Sequence, residues 1–144
     1  MTTADDDVFC RIVGGEDPAH IVYRDDVVVA FLDRRPVFPG HVLVVPTRHV
    51  ATLLDLAPDE IGPYFERVQW LAAAVQEALD AHGSFVAMNN TVSQSVAHLH
   101  THVVPRRRKD GLRGFFWPRL RYGDEAEMDD VAARIRTCVR PRSA

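Results

Sequence analysis

Three histidines, His98, His100 and His102, alternate with other residues in the second half of the chain. On a β-strand, side chains two residues apart share a face and lie about 6.6 Å apart. We therefore predict that the three imidazole rings form a row along a single cleft. Three alternating histidines are hard to bury as ordinary core, because each ring nitrogen needs a hydrogen-bond partner. The spacing of the three histidines therefore favours a chemical role over a role in core packing.

Two kinds of chemistry fit a row of imidazole rings. Neutral imidazole is a nucleophile near pH 7, and a hydrogen bond that fixes one ring nitrogen leaves the other aimed at its target. Alternating histidines on a strand also suit zinc or iron, with a carboxylate from elsewhere completing the coordination. The spacing alone leaves both kinds of site open.

The row needs a sheet to carry it, and five segments have the composition of β-strands. Each is rich in β-branched or aromatic residues and is bounded by residues typical of turns. We predict strands at residues 20–24, 27–32, 41–46, 84–89 and 99–104.

One long helix is predicted at residues 58–81, with Pro58 able to start it and Gly83 able to end it. Apolar residues recur there at helical spacing, so one face should pack against the sheet. These residues are Ile61, Phe65, Val68, Ala72, Val75 and Leu79. Because Pro63 lacks a backbone donor, we expect the helix to start late or to bend near it.

A second helix is predicted at residues 125–139, where Asp124 and Glu127 resemble a capping box with aspartate as the cap. Its apolar face consists of Met128, Val131, Ile135 and Cys138. The chain has no internal repeat, and the character of its sequence changes near Lys109. The residues that follow are therefore interpreted as an appendage to the main domain. Strands and helices together predict the α+β class.

Composition is that of one ordinary globular domain, with 144 residues, 47% hydrophobic and 26% charged. No apolar run is long enough to span a bilayer, and the N-terminal residues are polar and acidic, unlike a secretory signal. Those residues are Thr2, Thr3, Asp5, Asp6 and Asp7. Two cysteines, Cys10 and Cys138, are too few for a disulfide framework. We expect a cytoplasmic protein with no membrane partner.

The formal net charge is −3, which gives no sign of a nucleic-acid-binding protein, and no nucleic-acid partner is expected. Basic residues are nevertheless concentrated between residues 106 and 121, where Asp110 is the only acid. They are Arg106, Arg107, Arg108, Lys109, Arg113, Arg119 and Arg121. This segment could meet an anionic ligand or form a solvated basic loop, and both interpretations stay open.

The segment from His98 to Val104 resembles the signature of the histidine-triad (HIT) family, His-φ-His-φ-His-φ-φ, where φ is apolar. Six of its seven positions fit, and Thr101 is the departure. The side chain of Thr101 should point away from the histidine row, so we expect it to affect packing more than chemistry.

The resemblance continues upstream in Ala30-Phe31-Leu32-Asp33, Pro36, residues 39–46 and His49, which match the first half of the family in order and spacing. With residues 9–13, it covers residues 7 to about 109 and is closest to the small branch that hydrolyses nucleoside phosphoramidates and adenylated amines. It implies a HIT-like fold, an antiparallel sheet packed by one long helix. We expect a HIT domain at residues 7–109 and a C-terminal extension with a helix at residues 110–144.

The resemblance also implies the catalytic roles. His100, the middle histidine, would attack the α-phosphate and become a nucleotidyl-imidazole intermediate. His102 would contact the phosphate and assist the chemistry, while His98 would support the row from its other end, with His41 near it as a fourth histidine. Ser95 matches a hydroxyl close to the phosphate and the leaving group.

Nucleotide contacts are implied in the same way. Asp33 matches the carboxylate that holds both ribose hydroxyls, and Phe9 and Leu32 fall where apolar groups wall the base. Other interpretations remain, because Phe9 and Leu32 could be ordinary core and Asp33 could cap a turn before Pro36.

The loop before the histidine row departs from the family. Asn89 and Gln94 are assigned to nucleotide binding, although residues 89–94 form a shorter loop than in the family and contain no glycine. Glycine lets backbone approach a phosphate closely, so its absence bears on leaving-group preference more than on catalysis. Which asparagine, Asn89 or Asn90, takes the family's place stays open.

A metal site is a second departure. Bacterial relatives often carry Cys-x-x-Cys, which binds structural zinc with two histidines, whereas this chain has Asp7-Val8-Phe9-Cys10. Asp7, Cys10, His49 and His98 could still form a mixed site, since aspartate is a legitimate zinc ligand. We expect the zinc site to be lost rather than retained, and no cofactor to be required.

The resulting hypothesis is hydrolysis of a nucleoside 5′-phosphate derivative, a phosphoramidate or adenylated amine, with release of the nucleoside monophosphate. The substrate is expected to be a purine nucleotide, adenosine-based. Alternatives are a dinucleoside polyphosphate hydrolase or phosphorylase, a nucleotide-binding interaction module with little turnover, and a metalloenzyme.

The family also implies a homodimer formed through the long helix and a sheet edge. Candidate interface residues are Tyr64, Val68, Leu71 and Val75. The same residues could equally form the core of one protomer.

Overall fold

The computed structural model describes residues 7–113 and 118–142. Within these residues, contacts define two compact units, residues 7–108 and residues 109–142. The polar residues before Asp7 and part of the basic segment, residues 114–117, lie outside the described residues. No helix in the described part of the chain is long and apolar enough to cross a membrane.

A five-stranded antiparallel sheet forms the first unit, and its strand order is β1-β2-β3-β5-β4. The strands are β1 Ile21–Arg24, β2 Val28–Leu32, β3 Val42–Pro46, β4 Gly83–Ala87 and β5 Thr101–Arg106. The predicted α+β class is confirmed. The last strand begins two residues later than predicted, because the backbone before it bonds elsewhere: the amide of Leu99 donates to the carbonyl of Val50 at 2.7 Å.

Strands β2 and β3 are buried on both faces, which explains their nearly continuous apolar sequences. Alternate residues of each strand face opposite cores, as the two-residue period of a strand requires. In β2, Val28 and Ala30 belong to one cluster of buried side chains, while Val29 and Phe31 belong to the other.

The long helix, α2, spans Pro58–Ala78 and packs on the first of these clusters. Its buried face consists of Tyr64, Val68, Leu71 and Val75. The predicted face was therefore partly wrong, since Ile61 and Phe65 are 43% and 38% exposed. The expected late start is also wrong, because the helix begins at Pro58 and continues through Pro63.

The four residues proposed from the sequence as a dimer interface are thus core residues of one protomer. Tyr64 shows why, since its side chain is 1% exposed and reaches the sheet. Its hydroxyl donates to the carbonyl of Val44 at 3.0 Å and lies 2.6 Å from the hydroxyl of Thr101. Thr101, the departure from the HIT signature, therefore points to α2, where its polar atom is satisfied.

A short helix, α1 Val8–Val13, covers the opposite face of the sheet. Asp7 caps it, accepting a hydrogen bond from the amide of Cys10 at 2.8 Å. Phe9 and Ile12 are its buried residues. The sequence analysis missed this helix, because six residues are too few to display a helical period.

The second unit contains the helix α3, Glu125–Cys138, one residue shorter than predicted. The predicted cap is present, since the carboxylate of Asp124 accepts a hydrogen bond from the amide of Glu127 at 2.8 Å. No side chain of α3 is buried.

Candidate active site

A cavity of about 440 Å³ opens on the α1 side of the sheet, between α1, β2 and the segment that precedes β5. Its apolar lining includes Phe9, Ile12, Phe31, Leu32 and Leu43, and its polar lining includes Asp33, Ser95, His100 and His102. A largely apolar pocket with a few polar groups is typical of a small-molecule site.

His100 lies in the segment just before β5 and is 3% exposed. Its Nδ1–H donates to the backbone carbonyl of His98 at 2.8 Å. A neutral imidazole has one N–H, so this bond leaves the Nε2 lone pair available on a ring that lines the cavity. Phe9 packs against the same ring edge-on, with the centroids 5.0 Å apart. The side chain is held as a nucleophile would be.

His102, on β5, is oriented by a chain of hydrogen bonds that starts at the backbone. The amide of Val37 donates to Nδ1 of His41 at 3.1 Å, so the proton of neutral His41 lies on Nε2. That Nε2–H donates to Nδ1 of His102 at 2.9 Å. The proton of His102 is therefore placed on Nε2, which makes this ring a hydrogen-bond donor at the cavity.

The same environment keeps the rings of His102 and His41 neutral. Burial, followed by the neighbouring His100 and His41, lowers the pKa of His102 to about 4. Burial also lowers the pKa of His41, against the opposing effect of Asp33. Near pH 7 both side chains are therefore uncharged donors and acceptors.

His98 does not belong to the row that faces the cavity, which corrects the prediction of three rings along one cleft. Its side chain is fully buried, and it precedes the strand rather than lying on it. Its Nε2–H donates to the carbonyl of Pro46 at 3.0 Å. His41 contacts the opposite end of the row, at His102, whose ring centroid lies 5.2 Å from that of His100.

Asp33 follows β2 at the rim of the cavity, and its two carboxylate oxygens have different surroundings. Oδ1 accepts a hydrogen bond from the amide of Arg35 at 2.8 Å, while Oδ2 lies 3.7 Å from Nε2 of His41. The side chain is 23% exposed. One oxygen thus caps the turn, and the other remains accessible to a ligand.

Ser95 lines the cavity, but the structure places neither Asn89 nor Gln94 there. The side-chain amide nitrogen of Asn89, Nδ2, donates to the backbone carbonyl of Ser93 at 3.2 Å. Gln94 uses both ends of its side chain, accepting from the amide of Thr91 at 2.9 Å and donating to the carbonyl of Ala51 at 2.6 Å. These hydrogen bonds shape the loop, and the assignment of Asn89 and Gln94 to nucleotide binding stays a prediction.

That loop adopts conformations usual for glycine without containing one. Thr91 has φ of 72° and Ser93 has φ of 61°, in the region that L-residues rarely occupy. Backbone strain of this kind costs about 1–3 kcal/mol per residue and persists only where surrounding contacts hold it. The side chains of Asn89 and Gln94 supply such contacts.

A separate cluster brings together Asp7, Cys10, His49 and His98. The Cys10 sulfur lies 3.3 Å from Nδ1 of His49 and 3.4 Å from Nδ1 of His98. Oδ2 of Asp7 lies 3.2 Å from that sulfur, 3.0 Å from His49 Nδ1 and 3.4 Å from His98 Nδ1. Five of the six distances of a four-ligand set are therefore 3.0–3.4 Å.

These residues fit zinc. A tetrahedral zinc with ordinary bond lengths separates its ligand atoms by about 3.3–3.6 Å, and sulfur, imidazole nitrogen and carboxylate oxygen are its usual donors. The bond from His98 Nε2–H to Pro46 leaves Nδ1 unprotonated, as a metal ligand requires. One thiolate and one carboxylate would balance the charge of the divalent ion.

Sequence reasoning missed several residues of the site. Ile12, Phe31 and Leu43 line the cavity but look like ordinary core positions in the sequence. The contribution of Val37 comes from its backbone amide, which no side-chain pattern reveals.

Comparison with known proteins places this geometry in a family. The sequence model of the family described as HIT domain matches residues 14–109 of this chain. The protein named Protein hit from Bacillus subtilis is 32% identical over 133 residues, 91% of this chain and 90% of that protein. Adenylylsulfatase HINT3 from Arabidopsis thaliana is 30% identical over 142 residues, 96% of this chain and 70% of that protein.

A crystal structure of a Zn-bound histidine triad family protein from Mycobacterium smegmatis superposes with a TM-score of 0.71 at 33% identity, covering 92% of this chain and 99% of the other. The relatives thus include a named hydrolase and a zinc-bound protein. With the signature, the fold and the family model in agreement, the chain belongs to the HIT family, within the superfamily of nucleotide-binding hydrolases.

Proposed function

We propose that this protein hydrolyses an adenosine-based nucleoside 5′-phosphate derivative, a phosphoramidate or adenylated amine, at the α-phosphate. The observation that carries the proposal is the hydrogen bond from Nδ1–H of His100 to the carbonyl of His98. In the neutral ring it leaves Nε2 unprotonated, on a buried side chain that lines a largely apolar cavity.

The cavity suits a nucleoside monophosphate unit. Phe9, Phe31 and Leu43 offer apolar and aromatic surface for a purine base, and the accessible oxygen of Asp33 can accept hydrogen bonds from ribose hydroxyls. The phosphate then falls between the ribose contact and His100, where His102 offers an N–H. The cavity lining thus offers a chemically suitable partner for each of the base, the ribose and the phosphate.

The reaction proceeds in two displacements. Nε2 of His100 attacks the α-phosphorus, the bond from phosphorus to the leaving nitrogen breaks, and the departing amine takes a proton from a donor at the cavity. His102 Nε2–H and the Ser95 hydroxyl are the candidate donors. Water then attacks phosphorus and gives a proton back to the group that protonated the amine, the phosphorus–imidazole bond breaks, and the nucleoside monophosphate leaves. Covalent capture divides one difficult displacement into two.

Stereochemistry and mutagenesis test the proposal together. Two in-line displacements give net retention at phosphorus, whereas a single attack by water inverts it. A chiral thiophosphate substrate in isotopically labelled water should show retention, and His100→Gly should lose turnover by orders of magnitude while still binding adenosine monophosphate. His82→Ala is the matched control, because His82 is exposed and does not line the cavity.

The leaving group is tested by comparing substrates directly. An adenosine phosphoramidate, an adenylated lysine and diadenosine polyphosphates should be hydrolysed by the same preparation, with the first two preferred. Preference for the polyphosphates would instead favour a dinucleoside polyphosphate hydrolase.

Net inversion, or substantial activity of His100→Gly, would contradict the nucleophilic role of His100.

We also propose that Asp7, Cys10, His49 and His98 bind a structural zinc ion, which reverses our expectation from the sequence. The support is the fit of their donor atoms and distances to a tetrahedral site. Zinc bound there would stabilise the fold and take no part in the displacement. Elemental analysis should find about one zinc per chain, lost in Cys10→Ser and retained in Cys138→Ser, which removes an exposed cysteine.

A homodimer remains part of the proposal. Strand β4 is the last strand in the order of the sheet, and Val86 on it is 43% exposed. Light scattering at micromolar concentration should give twice the mass of one chain, and a monomeric mass would exclude the dimer.

A further inference from the structure

The cluster formed by Asp7, Cys10, His49 and His98 shares a helix with the nucleotide cavity. Asp7 caps α1 and Cys10 lies within it, while Phe9, between them in sequence, lines the cavity. Ile12, one turn further, lines it as well. Any force that fixes the first turn of α1 therefore also fixes part of the cavity wall.

α1 needs such a force, because a six-residue helix is unstable alone. Its C-terminal end is held by Arg24, whose guanidinium donates to the carbonyl of Val13 at 2.9 Å. Its N-terminal end is held through Asp7 and Cys10, whose polar atoms meet the two histidines at 3.0–3.4 Å. The anchor of the first turn is thus the proposed zinc site.

Phe9 transmits the position of that turn to the ligand-binding groups. Its ring packs 5.5 Å from the ring of Phe31 and 5.0 Å from that of His100, measured between centroids. It also lies 6.1 Å from His98, one of the four cluster residues. A shift of Phe9 would therefore open the aromatic side of the cavity.

The histidine side of the cavity has an additional support that does not pass through α1. His98 is held by its bond to the carbonyl of Pro46, and His100 is held by the carbonyl of His98. Neither bond involves Asp7 or Cys10. Loss of the anchor at α1 should therefore change the base wall more than the nucleophile.

We propose that Asp7 and Cys10 are positioning residues for nucleotide binding, because the metal they share with His49 and His98 fixes α1 and thereby places Phe9 against the nucleoside. The inference rests on the nucleotide and zinc proposals above and assigns the metal site a role in affinity. Metal occupancy sets how tightly the nucleotide binds, while the rate of the chemical step changes much less.

Titration calorimetry with adenosine 5′-monophosphate tests this without relying on turnover. The zinc-loaded full chain should bind more tightly than the chelator-treated chain by roughly tenfold. Cys10→Ser should resemble the metal-free protein, and Cys138→Ser should resemble the zinc-loaded wild type. In kinetics, metal removal should raise KM much more than it lowers kcat. Equal Kd values with and without zinc would overturn the inference, as would a wild-type chain that binds no metal.

A double-mutant cycle with Phe9→Ala separates positioning from general loss of structure. In metal-loaded protein, Phe9→Ala should weaken nucleotide binding by a similar factor. Removing zinc from Phe9→Ala should then cost little more, because the side chain that the metal positions is gone. A full additional tenfold loss would overturn the inference. Failure of the wild type to bind the nucleotide in any state would overturn the proposed function itself.

Discussion

Asp33 allows its two roles to be separated by a single substitution. Its Oδ1 accepts from the amide of Arg35, whereas Oδ2 remains accessible at the cavity. Asp33→Asn keeps an oxygen for the turn and replaces the accessible oxygen by an NH₂ group, which cannot accept from ribose. Asp33→Ala removes both. The asparagine variant therefore isolates the ribose contact.

The expected loss follows from the strength of a hydrogen bond to a charged acceptor. Such a bond contributes about 1.5–3 kcal/mol, and the 23% exposure of the Asp33 side chain favours the lower value. About 1.5 kcal/mol corresponds to roughly tenfold in Kd. We expect Asp33→Asn to weaken adenosine 5′-monophosphate by this factor in titration calorimetry.

A ligand without ribose hydroxyls supplies the control. The 2′,3′-dideoxy analogue lacks the groups that Asp33 would bind, so Asp33→Asn should change its Kd little. Asp33→Ala should weaken both ligands somewhat further, since the turn at Arg35 loses its cap. Equal losses of both ligands in Asp33→Asn would refute the assignment and show that the carboxylate acts through structure.

Two further predictions concern stability. Tyr64→Phe should lower the free energy of unfolding by about 1–3 kcal/mol in urea titrations, because the carbonyl of Val44 and the hydroxyl of Thr101 lose a buried partner; an unchanged midpoint would show that water replaces it. His102 has a pKa lowered by burial from 6.5 to about 4, so the unfolded state binds its proton more readily. Stability should therefore fall by up to about 3 kcal/mol as pH drops from about 6.5 to 4, and this dependence should weaken in His102→Gln but persist when the exposed His20 is replaced.

Element types could be predicted from the sequence where a periodic pattern was long. The 21-residue helix α2 and the strands β2 and β3 fall close to their predicted positions. The buried face of α2 was assigned less well, because Tyr64 and Phe65 are adjacent aromatic residues and either could face the sheet. Tyr64 faces it, because its hydroxyl forms hydrogen bonds there with the carbonyl of Val44 and the hydroxyl of Thr101.

The alternation of His98, His100 and His102 predicted a chemical site but not its division in two. Alternation assumes an extended strand, whereas β5 begins only at Thr101. His98 forms a hydrogen bond with the carbonyl of Pro46 and contacts Cys10 of α1. His100 and His102 line the cavity instead. The local pattern therefore predicted one row of three rings, whereas the structure divides them between the cluster and the cavity.

The family, the fold class and the alternating histidines could be recognised in the sequence alone, because they depend on residue types at short, fixed spacings. Which side chains contact one another depends instead on the tertiary structure. Cys10 meets His49 and His98 across 39 and 88 residues of chain, and Val37 reaches His102 only through His41. Such contacts depend on how the sheet brings distant segments together, and the hydrogen bonds made there fix which ring nitrogen carries the proton.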